Sequence, residues 1–158
     1  MVKTMKKMMI IVAAIVATAI TATATFAATY IWHDQHRPIS LNELPATAKS
    51  FVDKHFGSKE VSFVTAERET FGAEYNVAFV DGTKIEFNSK GEWTNIECKG
   101  SAVPSGAVPS KIADYIKRNH TNTNIVEINR EPREWEVKLS NGLELTFDSK
   151  FRVIDIDD

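Results

Sequence analysis

The stretch Tyr75-Asn-Val-Ala-Phe-Val-Asp-Gly-Thr-Lys-Ile-Glu-Phe-Asn-Ser-Lys90 decides the fold class, because it reads as two short strands around one turn. Tyr75, Val77 and Phe79 alternate with Glu74, Asn76 and Ala78, the period of a strand with one apolar face. Asp81-Gly82 interrupts the run where a two-residue primed turn needs positive φ, which predicts a tight antiparallel hairpin. Sixty positions later the pattern recurs as Trp135-Glu-Val-Lys-Leu-Ser-Asn-Gly-Leu-Glu-Leu-Thr-Phe-Asp-Ser-Lys150, with Gly142 in the place of Gly82.

Each hairpin follows a helix signal. Between residues 44 and 56 the apolar residues Leu44, Ala48, Phe51, Val52 and Phe56 form one stripe, with Pro45 in the first turn and Gly57 as the stop. Val108, Ile112, Tyr115 and Ile116 repeat that stripe behind Pro109 at an offset of sixty-four, so the second copy is about four residues shorter. Strands are predicted at 61–69, 74–80, 83–88 and 92–97, then at 124–130, 134–140, 143–148 and 153–156. The fold expected is α+β, a tandem duplication of an α-β-β-β-β unit forming an antiparallel sheet with both helices packed on one face. The other face is then exposed.

The N-terminus has the layout of a secretory signal peptide. Lys3, Lys6 and Lys7 precede an apolar run from Met8 to about Ala17, and Thr25-Phe26-Ala27 offers a small-x-small cleavage site, with Ala22-Thr23-Ala24 as a second candidate. An uncleaved membrane anchor is the rival reading, but Thr18, Thr21, Thr23 and Thr25 dilute the later half of the run. The chain divides into a signal peptide (1–27), a flexible arm (28–42), a first repeat (43–98), a Gly-, Pro- and Ser-containing linker (99–107) and a second repeat (108–158). The expected location is periplasmic or secreted, with no membrane association after cleavage.

The 158 residues carry a net charge of −2, which becomes −5 once the three leader lysines are removed. An acidic exported domain is a poor candidate for nucleic acid. Cys98 is the only cysteine, so no internal disulfide can form, and a buried thiol is the expectation over an intermolecular bridge.

Leu44-Pro-Ala-Thr-Ala-Lys-Ser-Phe-Val-Asp-Lys-His-Phe56, Tyr75-Asn-Val-Ala-Phe-Val-Asp-Gly82 and Ile85-Glu-Phe-Asn-Ser-Lys-Gly-Glu-Trp93 resemble the exported PepSY-like proteins described as beta-lactamase-inhibitor-like. Val108-Pro109, Trp135 to Gly142 and Leu145-Thr-Phe-Asp148 fit the same pattern, so the resemblance covers nearly all of the chain after Asn42. It implies a helix-plus-four-strand unit occurring twice, an extracytoplasmic location and no known catalytic residues. It also implies kinship with inhibitors that grip an enzyme with a broad sheet face and protruding loops. Gly91-Glu92-Trp93 in the first copy becomes Phe151-Arg152-Val153 in the second, so the copies need not present the same surface.

No catalytic constellation is read. His33, His36, His55 and His120 lie in no nucleophile motif, and the last two fall at helix ends, where a cation favours the dipole. His33-Asp34-Gln35-His36 could ligate a transition metal but sits in the arm, and Asp155-Ile-Asp-Asp158 lacks the glycine turn and distal glutamate of a calcium loop. No cofactor or metal is expected. Glu74, Asn76, Lys84, Glu86, Glu134, Glu136, Lys138, Glu144 and Thr146 are predicted to point away from the helices as an acidic face. The candidate partner surface is Phe71, Glu74, Asn76, Glu86, Trp93, Glu134, Glu136 and Glu144, with Phe71 on a loop beside Gly72 and Trp93 as either anchor or core cap. The reading is a non-enzymatic exported module that binds another exported protein, with an inhibitor of an extracytoplasmic enzyme as its sharper form. A small-ligand or metal sensor or carrier is the alternative.

Overall fold

The structure, a computed structural model, describes residues 36–69 and 72–157. Nine strands form one antiparallel sheet in sequence order: β1 (His36–Ile39), β2 (Val61–Glu69), β3 (Gly72–Phe79), β4 (Lys84–Phe87), β5 (Trp93–Glu97), β6 (Ile125–Arg130), β7 (Glu134–Leu139), β8 (Glu144–Asp148) and β9 (Val153–Asp157). Two helices, α1 (Ala46–Phe56) and α2 (Ser110–Asn119), precede β2 and β6. Each prolyl residue that the sequence places in a first turn, Pro45 and Pro109, is the helix N-cap.

This corrects the expected fold class. In place of a tandem pair of α-β-β-β-β units, each with a four-stranded sheet, the described residues form a single nine-stranded sheet with two short α-helices. The ladder runs without a break through β5 and β6, where Asn95, Ile96 and Glu97 lie opposite Asn129, Ile128 and Glu127. Beyond it the Cys98 amide donates to the Val126 carbonyl and the Val103 amide to the Ile125 carbonyl, each at 2.8 Å, so part of the expected linker is tied to the sheet. The physical reason is edge chemistry. Two small sheets side by side would each leave a row of unpaired backbone groups, and joining them satisfies both rows and enlarges the core. The segment read as a flexible arm (28–42) contains β1 at His36–Ile39 and the start of a 3-10 turn at Leu41–Glu43, which ends in the first residue of the first repeat.

One apolar row crosses the whole sheet: Ile39, Val64, Val77, Ile85, Ile96, Ile128, Val137, Leu145 and Ile156 lie directly opposite one another, strand by strand. All but the two edge residues are buried, in one cluster with Ala48, Val52 and Phe56 of α1 and Ile112 and Ile116 of α2. Both helices therefore cover the same face. Phe51 meets Phe87 edge-on at 6.0 Å and Tyr115 meets Phe147 at 5.5 Å, which fixes each helix over its own strands. Between them Phe51, Trp93, Trp135 and Phe151 follow one another at centroid distances of 6.1, 5.8 and 5.7 Å. Cys98 is buried in the same core, and burial pushes its thiol up from the ordinary value.

Four hairpins share one turn. Phe79, Asn88, Leu139 and Asp148 each donate their amide to a carbonyl four residues on, and the amides of Gly82, Gly91, Gly142 and Phe151 donate back to them. Those four residues alone in the turns take positive φ, at 86°, 76°, 93° and 63°. The turns are thus three-residue loops of the G1-bulge kind rather than the two-residue primed turns expected at Asp81-Gly82 and Asn141-Gly142, since neither Asp81 nor Asn141 takes positive φ. The side chains of Asp81, Asn88, Asn141 and Asp148 accept amide hydrogen bonds inside the turns, at 2.9 to 3.3 Å.

Candidate functional site: the open face of the sheet

The face opposite the helices carries two polar rows set by the same register. One runs Thr65, Asn76, Glu86, Asn95, Asn129, Glu136, Thr146 and Asp155, each directly opposite the next. The second runs Phe63, Ala78, Lys84, Glu97, Glu127, Lys138, Glu144 and Asp157. Seven carboxylates stand against two lysines in these rows, so the face is acidic.

The charges interact. Partial desolvation among its neighbours, followed by the Glu74 carboxylate, raises the Glu86 carboxyl above its ordinary value. Glu127 is raised in the same way, by desolvation and then by Glu97. Lys138 donates to Glu144 at 2.8 Å, and that bond raises the ammonium in turn. Asn95, in the first row, has its Oδ1 buried with no hydrogen-bond partner among the described residues. A face of this kind can attract and orient a cationic partner.

Of the residues singled out from the sequence, Glu74, Asn76, Glu86, Glu134, Glu136 and Glu144 stand together on this face, as do Lys84, Lys138 and Thr146. Trp93 does not. It lies on the helix side, directly opposite Phe87, half-buried, with the Arg130 guanidinium 5.3 Å from its ring. Phe71, His33 and the stretch 1–27 read as a signal peptide lie outside the described residues. His55 packs against Phe51 with tilted rings 4.8 Å apart, and desolvation, then Lys54, hold its imidazole below the ordinary value. His120 follows the last residue of α2, 6.0 Å from Tyr115. Among the described residues no three His, Cys, Asp or Glu side chains converge to hold a metal ion.

The sequence reading missed Phe63, a large apolar residue that is 55% exposed on the open face. The alternation Val61-Ser-Phe-Val64 hides it, because a register shift between Val61 and Phe63 sends Val61 to the core and Phe63 to solvent. Asn95, Glu97, Glu127 and Asn129 were also not assigned to the face, since their placement depends on the β5–β6 pairing. Alternation within 124–130 was the available signal.

A family model described as "Putative beta-lactamase-inhibitor-like, PepSY-like" matches residues 73–155. Among solved structures, a "putative periplasmic protein from DUF2874 family" of Bacteroides vulgatus is 43% identical, with 79% of this chain and 98% of that one covered and a TM-score of 0.77. A "putative calcium-regulated periplasmic protein" of Bacteroides thetaiotaomicron is 36% identical over 80% of this chain and 99% of that one, also at a TM-score of 0.77. A second Bacteroides vulgatus periplasmic protein, described as of unknown function, is 36% identical over 78% and 99%, with a TM-score of 0.72. No curated protein matches. Among the described residues no helix is long and apolar enough to cross a membrane. With a family model matched over more than half of its length, this chain belongs to the PepSY-like family described as beta-lactamase-inhibitor-like.

Proposed function

We propose that the protein is a non-enzymatic exported module that binds another exported protein through the open face of its sheet, acting as an inhibitor of an extracytoplasmic enzyme. The observation that supports this most is the pair of polar rows running across all the central strands on a face that no described helix covers. Strands spaced about 4.8 Å apart give a sheet of this strand count a width of roughly 40 Å, and five residues per strand add about 17 Å of length. The resulting area of about 650 Å² approaches the roughly 800 Å² each partner contributes to a standard interface. The periplasmic naming of the solved relatives supports the location.

The test is affinity capture from a native envelope fraction with the wild-type chain and with a Glu86→Lys, Glu136→Lys variant side by side. A partner retained by the wild type and lost by the variant supports the reading. Equal recovery by both would move the binding surface elsewhere.

A second reading, a metal or small-ligand sensor, draws on the acidic face and on the calcium regulation named for the Bacteroides thetaiotaomicron relative. A ligand that binds the native state raises the melting temperature by mass action. Thermal unfolding with and without calcium separates the two readings, since a binding module without a metal site shows no calcium-dependent shift.

A further inference from the structure

The two edges of the sheet differ. An edge strand presents backbone donors and acceptors to solvent, and a protein either blunts such an edge or uses it to bind another strand. β1 is blunted: Pro38 has no N–H to offer, and Arg37 beside it adds a charge. β9 closes the other edge, and among the described residues only β8 pairs with it. It carries no proline, and its Ile156 amide donates to the neighbouring Asp155 carboxylate at 3.0 Å, as an amide facing away from β8 would. The side chains of β9 sort by face. Ile156, opposite the buried Leu145, stands on the helix side and is 49% exposed. Ile154, the extra residue where the β8–β9 register shifts, is 56% exposed. Asp155 and Asp157 stand in the two polar rows of the open face. Arg152, the cation nearest to them in sequence, is held instead by Asp148 at 2.8 Å.

We propose that the β9 edge accepts an extended strand of a partner protein, antiparallel to β9, with apolar side chains beside Ile156 and lysine or arginine beside Asp155 and Asp157. Charge decides the occupant. A second copy pairing through its own β9, with Ile156 opposite Ile156 or Ile154, would set Asp155 against Asp157 or against Asp155. Like charges directly opposite one another are unfavourable on a sheet, whereas a basic residue at that place is favourable. Alternation follows from strand geometry, because successive side chains of an added strand fall on opposite faces and alternate ones share a face. In the antiparallel arrangement the residue opposite Ile156 shares its face, so the apolar residues of the added strand are the ones whose N–H and C=O meet β9. Backbone pairing then supplies the attachment, and the alternating apolar and basic side chains supply the selection. This edge surface is separate from the open-face binding proposed above and does not depend on it.

The probe is a fluorescein-labelled, capped Ser-Lys-Val-Lys-Val-Lys-Ser peptide, titrated by anisotropy against the full chain. One control peptide carries glutamate for lysine. Two more are N-methylated, one at both valines, which removes the donors that meet β9, and one at the central lysine, which leaves them in place. The protein variants are Ile156→Pro, which deletes the outward amide at an edge position where proline is tolerated, and the double change Asp155→Asn, Asp157→Asn. Melting temperatures check that both fold. The expected result is saturable binding that weakens about tenfold or more in each variant, with the glutamate peptide and with the valine-methylated peptide, while the lysine-methylated peptide binds as the parent does. Equal binding by the valine-methylated peptide or by either folded variant overturns the proposal, since attraction to the acidic surface alone would not sense the backbone. Absence of saturation up to about 1 mM protein also overturns it. A dimer of the chain that Ile156→Pro dissociates would overturn it too, by giving the edge to a second copy.

Discussion

Ile96 of β5 and Ile128 of β6 lie directly opposite each other, both fully buried, at the seam that makes one sheet of the chain. Removing buried methylenes there acts on the whole core and not on one half. Ile128→Ala is expected to cost about 2–5 kcal/mol. Urea unfolding of wild type and variant should show a single transition with coincident far-ultraviolet circular dichroism and tryptophan fluorescence, because Trp93 and Trp135 report on opposite sides of the seam. Two resolved steps would mean two separately folding units.

Gly91 and Phe151 occupy the same turn position and illustrate two solutions to one backbone requirement. A Cβ on Gly91 would come within 2.8 Å of the Pro45 side chain and 3.0 Å of the Ala48 amide nitrogen, so the first turn has no room for a side chain against α1. In the second turn Phe151 takes φ 63° and its ring packs on Trp135 at 5.7 Å, with Lys111 Nζ 5.5 Å from its centroid. Gly91→Ala is expected to destabilise by about 1–3 kcal/mol through positive φ and the clash together. At position 151 the ranking is the informative result: Phe151→Gly and Phe151→Ala lose the same ring contact, but glycine relieves the left-handed backbone, so the glycine variant should melt higher by several degrees.

Asp81 links the first hairpin to the chain that follows α1. Its carboxylate pairs with Lys59 and accepts the Thr83 amide at 2.9 Å, while Lys59 also donates to the buried Thr83 hydroxyl at 3.2 Å. The Lys59 bond, then the Thr83 amide, lower the Asp81 pKa from 3.8 to about 2. A depressed folded-state pKa means stability that is complete above the unfolded value and is lost as pH falls from 3.8 toward about 2. The pair is solvent-exposed, so the effect is small, about 0.2–1 kcal/mol. Denaturation midpoints compared at pH 6 and at or below pH 2 should converge for wild type and Asp81→Asn at the lower pH.

Glu86 has the opposite sign. Its folded-state pKa is raised by desolvation and by Glu74, so the ionised form costs stability at neutral pH, and the cost disappears as pH falls through the raised value. Glu86→Gln should therefore raise the melting temperature at pH 7 by the equivalent of a few tenths of a kcal/mol, about the scale of a cross-strand charge contact. The gain should vanish in thermal scans below the ordinary carboxylate range.

How much of this was legible in sequence differs from element to element. The alternation of Tyr75, Val77 and Phe79 and of Trp135, Val137 and Leu139 placed strands and their inner faces within a residue or two of β3 and β7. The glycines at 82 and 142 marked the turns but not their length, because one left-handed residue suffices for the three-residue loop and the sequence does not distinguish it from the primed turn. The β5–β6 seam was not readable. Asn95-Ile-Glu97 and Glu127-Ile-Asn129 show only that each strand has one apolar residue inward, and which edges meet is decided by the tertiary fold. β1 was missed because Arg37-Pro38-Ile39 is too short for a period and carries a proline, a residue that sheets accept at an edge. The acidic face was visible from alternation alone, whereas Phe63 was hidden by the register shift beside it.

The most direct test of the open face as the binding surface is site-specific photo-cross-linking in the native envelope. A benzophenone side chain is placed at Glu136 on the open face in one variant and at the exposed Lys117 of α2, on the covered side, in another. The account predicts a discrete higher-mass adduct from position 136 and none from 117. An adduct from 117 alone would contradict it.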